Sequence, residues 1–321
     1  METPAETEDA RSRVSVVTSS GRRTVLLTSD GVSIEAEHLP PAGGSGHLAI
    51  VIAHGFSGSL ERPAVRRAAR GLRRYGGVIV FSFRGHGRSG GRSTVGDREI
   101  LDVDAAVRWA RRLGYARVAA VGFSMGGSVV LRHAGAAGAA ASTTAGAGSR
   151  TAAGPTTGGA PADRTAPVRT GDEGDPVRPG ARADSREPGA VDAVVAVSSP
   201  ARWYYRGTAP MRRVHWAVTR PTGRLVSRWG LRTRIHPYDW DPVPLSPVQS
   251  VPFIPPTPLL IVHGDRDAYF PLDHPLSLAE AAGDGGADLW IEPGFGHAEN
   301  AVEPVLLDRI GAWLTARIPA M

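Results

Sequence analysis

Residues 118–130, VAAVGFSMGGSVV, run from a small apolar segment through Gly122-Phe123-Ser124-Met125-Gly126 into a second apolar segment. The stretch has the spacing Gly-x-Ser-x-Gly, which can lift a serine out of a sharp strand-to-helix turn as a nucleophile. A second match, Gly87-Arg88-Ser89-Gly90-Gly91, lies upstream, and in a chain with 40 glycines the spacing alone does not choose between them. Context does. A nucleophile elbow needs a strand ending on the serine and a helix starting directly after it, so that the hydroxyl stands above the sheet edge with the helix N-terminus facing the reaction centre. Arg117 to Phe123, RVAAVGF, reads as such a strand, and Gly126 to His133, GGSVVLRH, starts such a helix. Ser89 sits in RGHGRSGGRSTVG, glycine-rich polar text with no apolar helical pattern before Ile100, and reads as loop.

Outward from Ser124 the same alternation repeats. Leu48 to Ala53, LAIVIA, is a continuous apolar run, the mark of a strand covered on both faces. After it Val65, Ala68, Ala69, Leu72 and Tyr75 recur at helical spacing, with arginines on the opposite, solvated side. Val78 to Phe83 is strand again, and Ile100, Val103, Val107 and Ala110 mark the next helix. Beyond Ser124, strands are read at Val191 to Pro200, Thr257 to His263 and Ala287 to Ile291, with Leu306, Ile310, Trp313 and Leu314 on a closing helix. An initial hairpin around Ser29-Asp30-Gly31 precedes them all. The order predicts an α/β fold: a mostly parallel sheet with helices on both faces.

Two segments interrupt the alternation. Residues 136–190 are rich in Ala, Gly, Thr and Pro and hold no Leu, Ile, Phe, Tyr or Trp, so they read as a low-complexity, disordered insertion. Residues 200–252 contain seven of the thirteen Trp plus Tyr residues and nine Arg against Asp239 and Asp241, an excess that accounts for the net charge of +6 of the whole chain. A segment of that length between strands reads as a cap or lid, with Trp203, Tyr204 and Trp216 as candidate substrate-binding residues. The expected organisation is therefore a disordered tail over 1–20, a core over 21–135, 191–199 and 253–321, the insertion over 136–190 and the cap over 200–252. The chain has no Cys and no Lys, and every one of its 37 basic residues is Arg. Disulfides and thiolate metal sites are excluded. The opening METPAETEDARSR has neither the basic flank nor the apolar run of a signal peptide, and no stretch has the ~20 apolar residues of a spanning helix, so the default location is cytoplasmic.

If Ser124 is a nucleophile, it needs a base to take its proton and an acid to orient that base, in the chain order Ser, Asp or Glu, His. Asp267 lies four residues past the strand ending near His263, and His297 lies in a Gly-flanked loop after the last strand. Asp265 is the rival acid, although an Asp next to Gly264 suits a turn. Acyl transfer also needs two N–H groups aimed at the developing oxyanion. Met125, at the helix start, and Phe56, in the His54-Gly55-Phe56 loop, are the candidates. His54 precedes the serine in the chain and reads as a loop-fixing residue.

Together AHGF, FSFRGHGRSGG, GFSMGG, IVHGDRDAYFP and GFGHAEN resemble the α/β-hydrolase superfamily, closest in appearance to its acylglycerol lipase-like and serine aminopeptidase-like branch. The resemblance covers roughly Arg22 to His133 and Val191 to Met321. It implies an eight-stranded sheet, a triad at Ser124, Asp267 and His297, and a structural role for the RGHGRS loop. The long insertion and the basic cap depart from the family pattern. The leading expectation is a serine hydrolase of carboxylic esters, acting on a small-molecule acyl ester or acylglycerol-like substrate. The same triad would also serve amide, peptide or thioester cleavage, or perhydrolysis, and a non-catalytic lipid-binding role stands as a third reading. No cofactor or metal is implied, since the histidines do not cluster at ligand spacing. No nucleic-acid motif accompanies the charge. The basic cap suits weak peripheral contact with an anionic membrane, which salt would weaken.

Overall fold

The computed structural model describes residues 21–43, 46–148 and 189–319. The expected disordered tail over 1–20 and residues 149–188 of the expected insertion lie outside these. Strands β1 (Arg22–Leu27) and β2 (Ser33–Leu39) form the hairpin, turning through Gly31 at φ +79°. Then come β3 (Leu48–Ala53), α1 (Pro63–Leu72), β4 (Gly77–Phe81), α2 (Ile100–Arg112), β5 (Arg117–Phe123) and α3 (Met125–Gly148). The second half holds β6 (Ala193–Val197), α4 (Ala209–Thr219), α5 (Pro221–Gly230), α6 (Pro247–Ser250), β7 (Leu259–Gly264), α7 (Asp273–Ala281), β8 (Asp288–Glu292), α8 (Ala298–Ala301) and α9 (Pro304–Arg317).

The eight strands make one sheet in the order β1-β2-β4-β3-β5-β6-β7-β8, antiparallel at β1–β2 and β2–β4 and parallel from β4 onward. Period-2 alternation shows why β3 is apolar throughout. Ala49, Val51 and Ala53 pack with α2 and α3 on one face, while Leu48, Ile50 and Ile52 pack with α1 and α9 on the other. The chain passes from β3 to β4 on one side and later returns to β5 on the other. The strand order therefore reverses at β3, and a crevice opens at the carboxyl ends of β3 and β5, the usual ligand position in an open α/β sheet.

The loop after β4 explains the decoy serine. Ser89 Oγ donates to the Ser82 carbonyl and accepts from the Glu35 N–H, and the residue is 1% exposed. Beside it the Arg84 guanidinium donates to Asp102 at 2.8 and 2.9 Å and to Asp30 at 2.7 and 3.0 Å. Burial disfavours the charge, yet these carboxylates outweigh it and raise the Arg84 pKa.

Two boundaries differ from the compositional reading. Helix α3 continues to Gly148, well into the segment read as disordered from 136. Alanine is the best helix former, and the helix gains a packing partner that the local sequence does not reveal. The chain from α6 to Phe253 lies directly on it: a β-carbon at Gly135 would be 2.4 Å from the Ser250 carbonyl oxygen, and one at Gly138 would be 1.8 Å from that of Phe253. Pro247, Ser250 and Val251 are buried there, so this end of the expected 200–252 cap belongs to the core. A Gly138→Val substitution should lower stability by about 1–3 kcal/mol, through the forced separation of α3 from Phe253, as read from the urea midpoint.

Candidate active site

The pairing Ala53↔Gly122 sets the ends of β3 and β5 side by side, so the loops that leave them start as neighbours. Close backbone approach then builds the turn. A β-carbon at Gly122 would be 2.3 Å from the Gly126 carbonyl oxygen, and one at Gly126 would be 2.2 Å from that of Ala53. Between these glycines Ser124 sits in the left-handed region at φ +51°, held by its N–H to the Val197 carbonyl oxygen at 2.9 Å. A non-glycine residue there is strained, and the cost persists only because the surroundings fix it.

The pairing Gly264↔Glu292 does the same at the ends of β7 and β8. A β-carbon on Gly264 would be 2.0 Å from the Phe295 carbonyl oxygen, so the glycine lets the loop carrying His297 close over the loop carrying Asp267. The result is a continuous line. His297 Nε2 lies 2.9 Å from Ser124 Oγ, and His297 Nδ1 lies 2.8 Å from Asp267 Oδ2. Asp267 Oδ1 accepts the Tyr269 and Phe270 N–H groups at 2.8 and 3.1 Å. Burial works against the Asp267 charge, but the bond to His297 and the two backbone donors hold its carboxyl below the usual carboxylate range. An ionised Asp267 only accepts, so Nδ1 of His297 carries the proton and Nε2 is left to accept from the serine. The Tyr269 ring stacks on His297 at 4.1 Å, and its carbonyl oxygen accepts from Thr208 Oγ1 at 2.9 Å. Asp265, the rival acid, accepts instead from the Gly294 N–H in an exposed turn.

The loop after β3 is braced by three buried side chains. His54 Nδ1 donates to the Gly55 carbonyl at 2.7 Å while its Nε2 accepts from the Phe83 N–H at 3.0 Å, the loop-fixing role expected of it. His86 Nε2 accepts from the Ser57 N–H. Glu299 Oε1 accepts from the Gly55 N–H at 2.9 Å. A β-carbon at Gly55 would be 3.3 Å from Ser124 Cβ, so the loop passes close against the serine. Among the described residues no protein acceptor takes the Phe56 or Met125 N–H, and Met125 opens α3, whose first turn has free donors. Sequence reasoning missed Glu299. Its only signal was its place two residues after His297, and the contact with Gly55 spans 244 positions. Burial pushes its carboxyl up, with the Gly55 N–H pulling the other way.

A cavity of about 760 Å³ lies between the cap and the core. Trp203 and Tyr204 line it, together with Tyr205, Trp240 and Phe270, and the Phe270 ring centroid is 5.6 Å from that of His297. Trp216, the third candidate, is outside it. Helix α4 turns Met211, Val214, His215 and Val218 to the cavity, and at about 100° per residue Trp216 then faces away, where it is 46% exposed. The strand-like segment at 233–236 anchors the cap to the loop after β4, with Arg234 N–H to the Gly85 carbonyl and His236 N–H to that of Ser93. Among the described residues no three His, Asp or Glu side chains group as metal ligands would. No helix among them is long and apolar enough to cross a membrane.

The model of the alpha/beta hydrolase family matches residues 50–306. The chain belongs to this family. No curated protein matches the sequence. Among solved structures the hydrolase fold is shared with the Pyrococcus furiosus esterase Pf2001, at TM-score 0.60 and 19% identity over 92% of each chain. Est1E from Butyrivibrio proteoclasticus, solved with ferulic acid bound, is similar at TM-score 0.52 and 16% identity, over 92% of this chain and 98% of that one. XC6422 from Xanthomonas campestris, described as a serine hydrolase without lid, is similar at TM-score 0.51 and 17% identity, covering 94% and 97%.

Two buried histidines make the fold respond to acid. Burial pushes His54 down to about 3 and His133, on α3, down to about 4. In the unfolded chain both take a proton near pH 6.5, whereas in the folded protein neither does until much lower pH. The unfolded state binds more protons between those limits, so stability falls as pH falls. The loss should reach about 2–3 kcal/mol per histidine two units below pH 6.5, seen as a falling urea midpoint. A His133→Phe variant should show a shallower decline.

Proposed function

We propose that the protein hydrolyses carboxylic esters through an acyl-enzyme on Ser124. The observation that carries the reading is the line from Asp267 through His297 to Ser124, with separations of 2.8 and 2.9 Å, beside two backbone N–H groups. His297 Nε2 takes the Ser124 proton as Oγ attacks the ester carbonyl, and Asp267 stabilises the imidazolium that forms. The Phe56 and Met125 N–H groups receive the charge that develops on the carbonyl oxygen. When the intermediate collapses, His297 gives its proton to the leaving alcohol. It then draws a proton from water, which attacks the acyl-enzyme, and returns that proton to Ser124 Oγ as the bond to the acyl group breaks and the acid leaves.

The aromatic cavity under the cap suits an apolar acyl group, held by Trp203, Tyr204 and Phe270 on the way to His297. Residues 200–245 act as the cap of this site. The esterase name of one structural neighbour, Pf2001, agrees with ester cleavage. Glu299 acts as a positioning residue: it holds the Gly55 N–H and so aims the neighbouring Phe56 N–H.

A series of p-nitrophenyl esters of rising chain length tests the reading. Ser124→Ala should cost about 10⁴-fold or more in kcat, while Ser89→Ala should keep activity and lose only stability. A wild-type protein that turns over no ester and leaves Ser124 unlabelled by a fluorophosphonate would overturn it. Glu299→Ala should lower kcat by roughly tenfold to a hundredfold with KM little changed, since one oxyanion donor loses its aim. Glu299→Gln, which keeps an acceptor for Gly55, should recover most of that loss.

A further inference from the structure

The outer surface of the cap has no part in this chemistry. From Arg202 to Tyr238 the chain carries nine Arg and no Asp or Glu. Some of these arginines are engaged: Arg202 pairs with Asp273, and Arg212 and Arg224 donate to backbone carbonyls of the cap itself. Among the described residues, no carboxylate lies within 4.0 Å of Arg213, Arg220, Arg228 or Arg232. The face of α4 and α5 is therefore a field of one sign, the cap's acidic residues Asp239 and Asp241 lying outside these helices, and it calls for an anionic partner.

Its apolar content says which kind. With one side of α4 turned to the cavity, its outer side presents Arg213 and Trp216 at helical spacing, and Arg220 follows at the extended junction with α5. Helix α5 packs inward through Gly223 and Ser227, and Gly223 sits against the backbone of Trp216 and Ala217 because it has no side chain. Leu225, Val226 and Trp229 are thereby turned outward, 59%, 53% and 73% exposed, with the Arg228 guanidinium 5.4 Å from the Trp229 ring centroid. Bulky aliphatic and indole groups between cationic side chains are the composition of a helix that lies in a bilayer interface. A phosphate-reading surface for nucleic acid has no use for Leu225 and Val226, whereas the acyl boundary of a bilayer does.

We infer that the outer face of α4 and α5 docks the protein on an anionic lipid bilayer. Trp216, Leu225, Val226 and Trp229 enter the headgroup boundary, and Arg213, Arg220, Arg228 and Arg232 meet acidic headgroups. Docking brings the cavity, whose wall is the other face of α4, next to the lipid. The inference stands apart from the hydrolase reading, because binding is measured without turnover.

The test is co-sedimentation of the full chain with vesicles of phosphatidylcholine alone and of phosphatidylcholine mixed with phosphatidylglycerol, over a salt series, with tryptophan emission followed in parallel. The expected result is binding to the mixed vesicles only, with a blue shift in emission, lost as salt nears about 1 M, where the screening length is about 3 Å. The triple variant Arg213→Gln, Arg220→Gln, Arg228→Gln should bind on the order of a hundredfold more weakly. Trp216→Ser with Trp229→Ser should weaken binding at least about tenfold. All these side chains are exposed, so circular dichroism and melting temperature should be unchanged. Absence of vesicle binding at low salt would overturn the inference, as would binding that both variants retain. Tight binding to an RNA oligonucleotide that displaces the vesicles and is insensitive to the tryptophan substitutions would overturn it in favour of a nucleic-acid surface.

Discussion

At Gly126 a β-carbon would sit 2.2 Å from the carbonyl oxygen of Ala53, and this absence of space is the constraint on which the site depends. It lets the first turn of α3 lie against the end of β3, so that the serine, the helix N-terminus and the loop after β3 meet at one edge of the sheet. Gly122 and Gly264 permit equally close approach within the elbow and between the loops after β7 and β8. The left-handed backbone at Ser124 follows from this crowding. Its cost, on the order of 1–3 kcal/mol, is held by the bond to Val197 and by the buried side chains of Phe123 and Met125 on either side.

The proposed reaction sets a second requirement, that the donors be aimed before any substrate arrives, because dipoles fixed in advance need no reorganisation during reaction. Here the fixing is done by buried polar groups rather than by apolar packing. His54, His86 and Glu299 each accept from one backbone N–H of the loops around the serine. Burying two imidazoles and a carboxyl is unfavourable for their charged forms, which is why both histidines stay neutral and the Glu299 carboxyl is pushed upward. The two histidines that order the site therefore make the fold sensitive to acid, whereas the raised Glu299 carboxyl works in the opposite direction.

How much of this was legible in the sequence follows from the range of the interactions involved. Ser124 directly, and Asp267 and His297 within a few residues, follow short apolar runs that read as strands, and parallel strands deliver their following loops to one edge, so a local pattern sufficed to place them together. Ser89 was separable because no strand ends on it. The extension of α3 to Gly148 was not legible, since an Ala-rich, Gly-rich tract looks unstructured until Ser250 and Phe253 are seen lying on it. Trp216 was misplaced because an aromatic residue in a cap suits either face of a helix, and only the positions of Met211, Val214 and Val218 decide which. Glu299 was invisible for the same reason: its partner, Gly55, is at the other end of the chain.

The hydrogen bond from Thr208 to the Tyr269 carbonyl has a mechanical consequence. Among the described residues, the bonds from the cap to the rest of the protein stop at Thr208 and resume near Thr233, and those of α4 and α5 between them stay within the cap. A segment with few buried side chains and two tethers has one easy motion, a swing about the line that joins the tethers, on the microsecond to millisecond scale. One of those tethers is the residue whose ring stacks on His297. The hinge line of the cap therefore passes beside the imidazole of His297, at Tyr269.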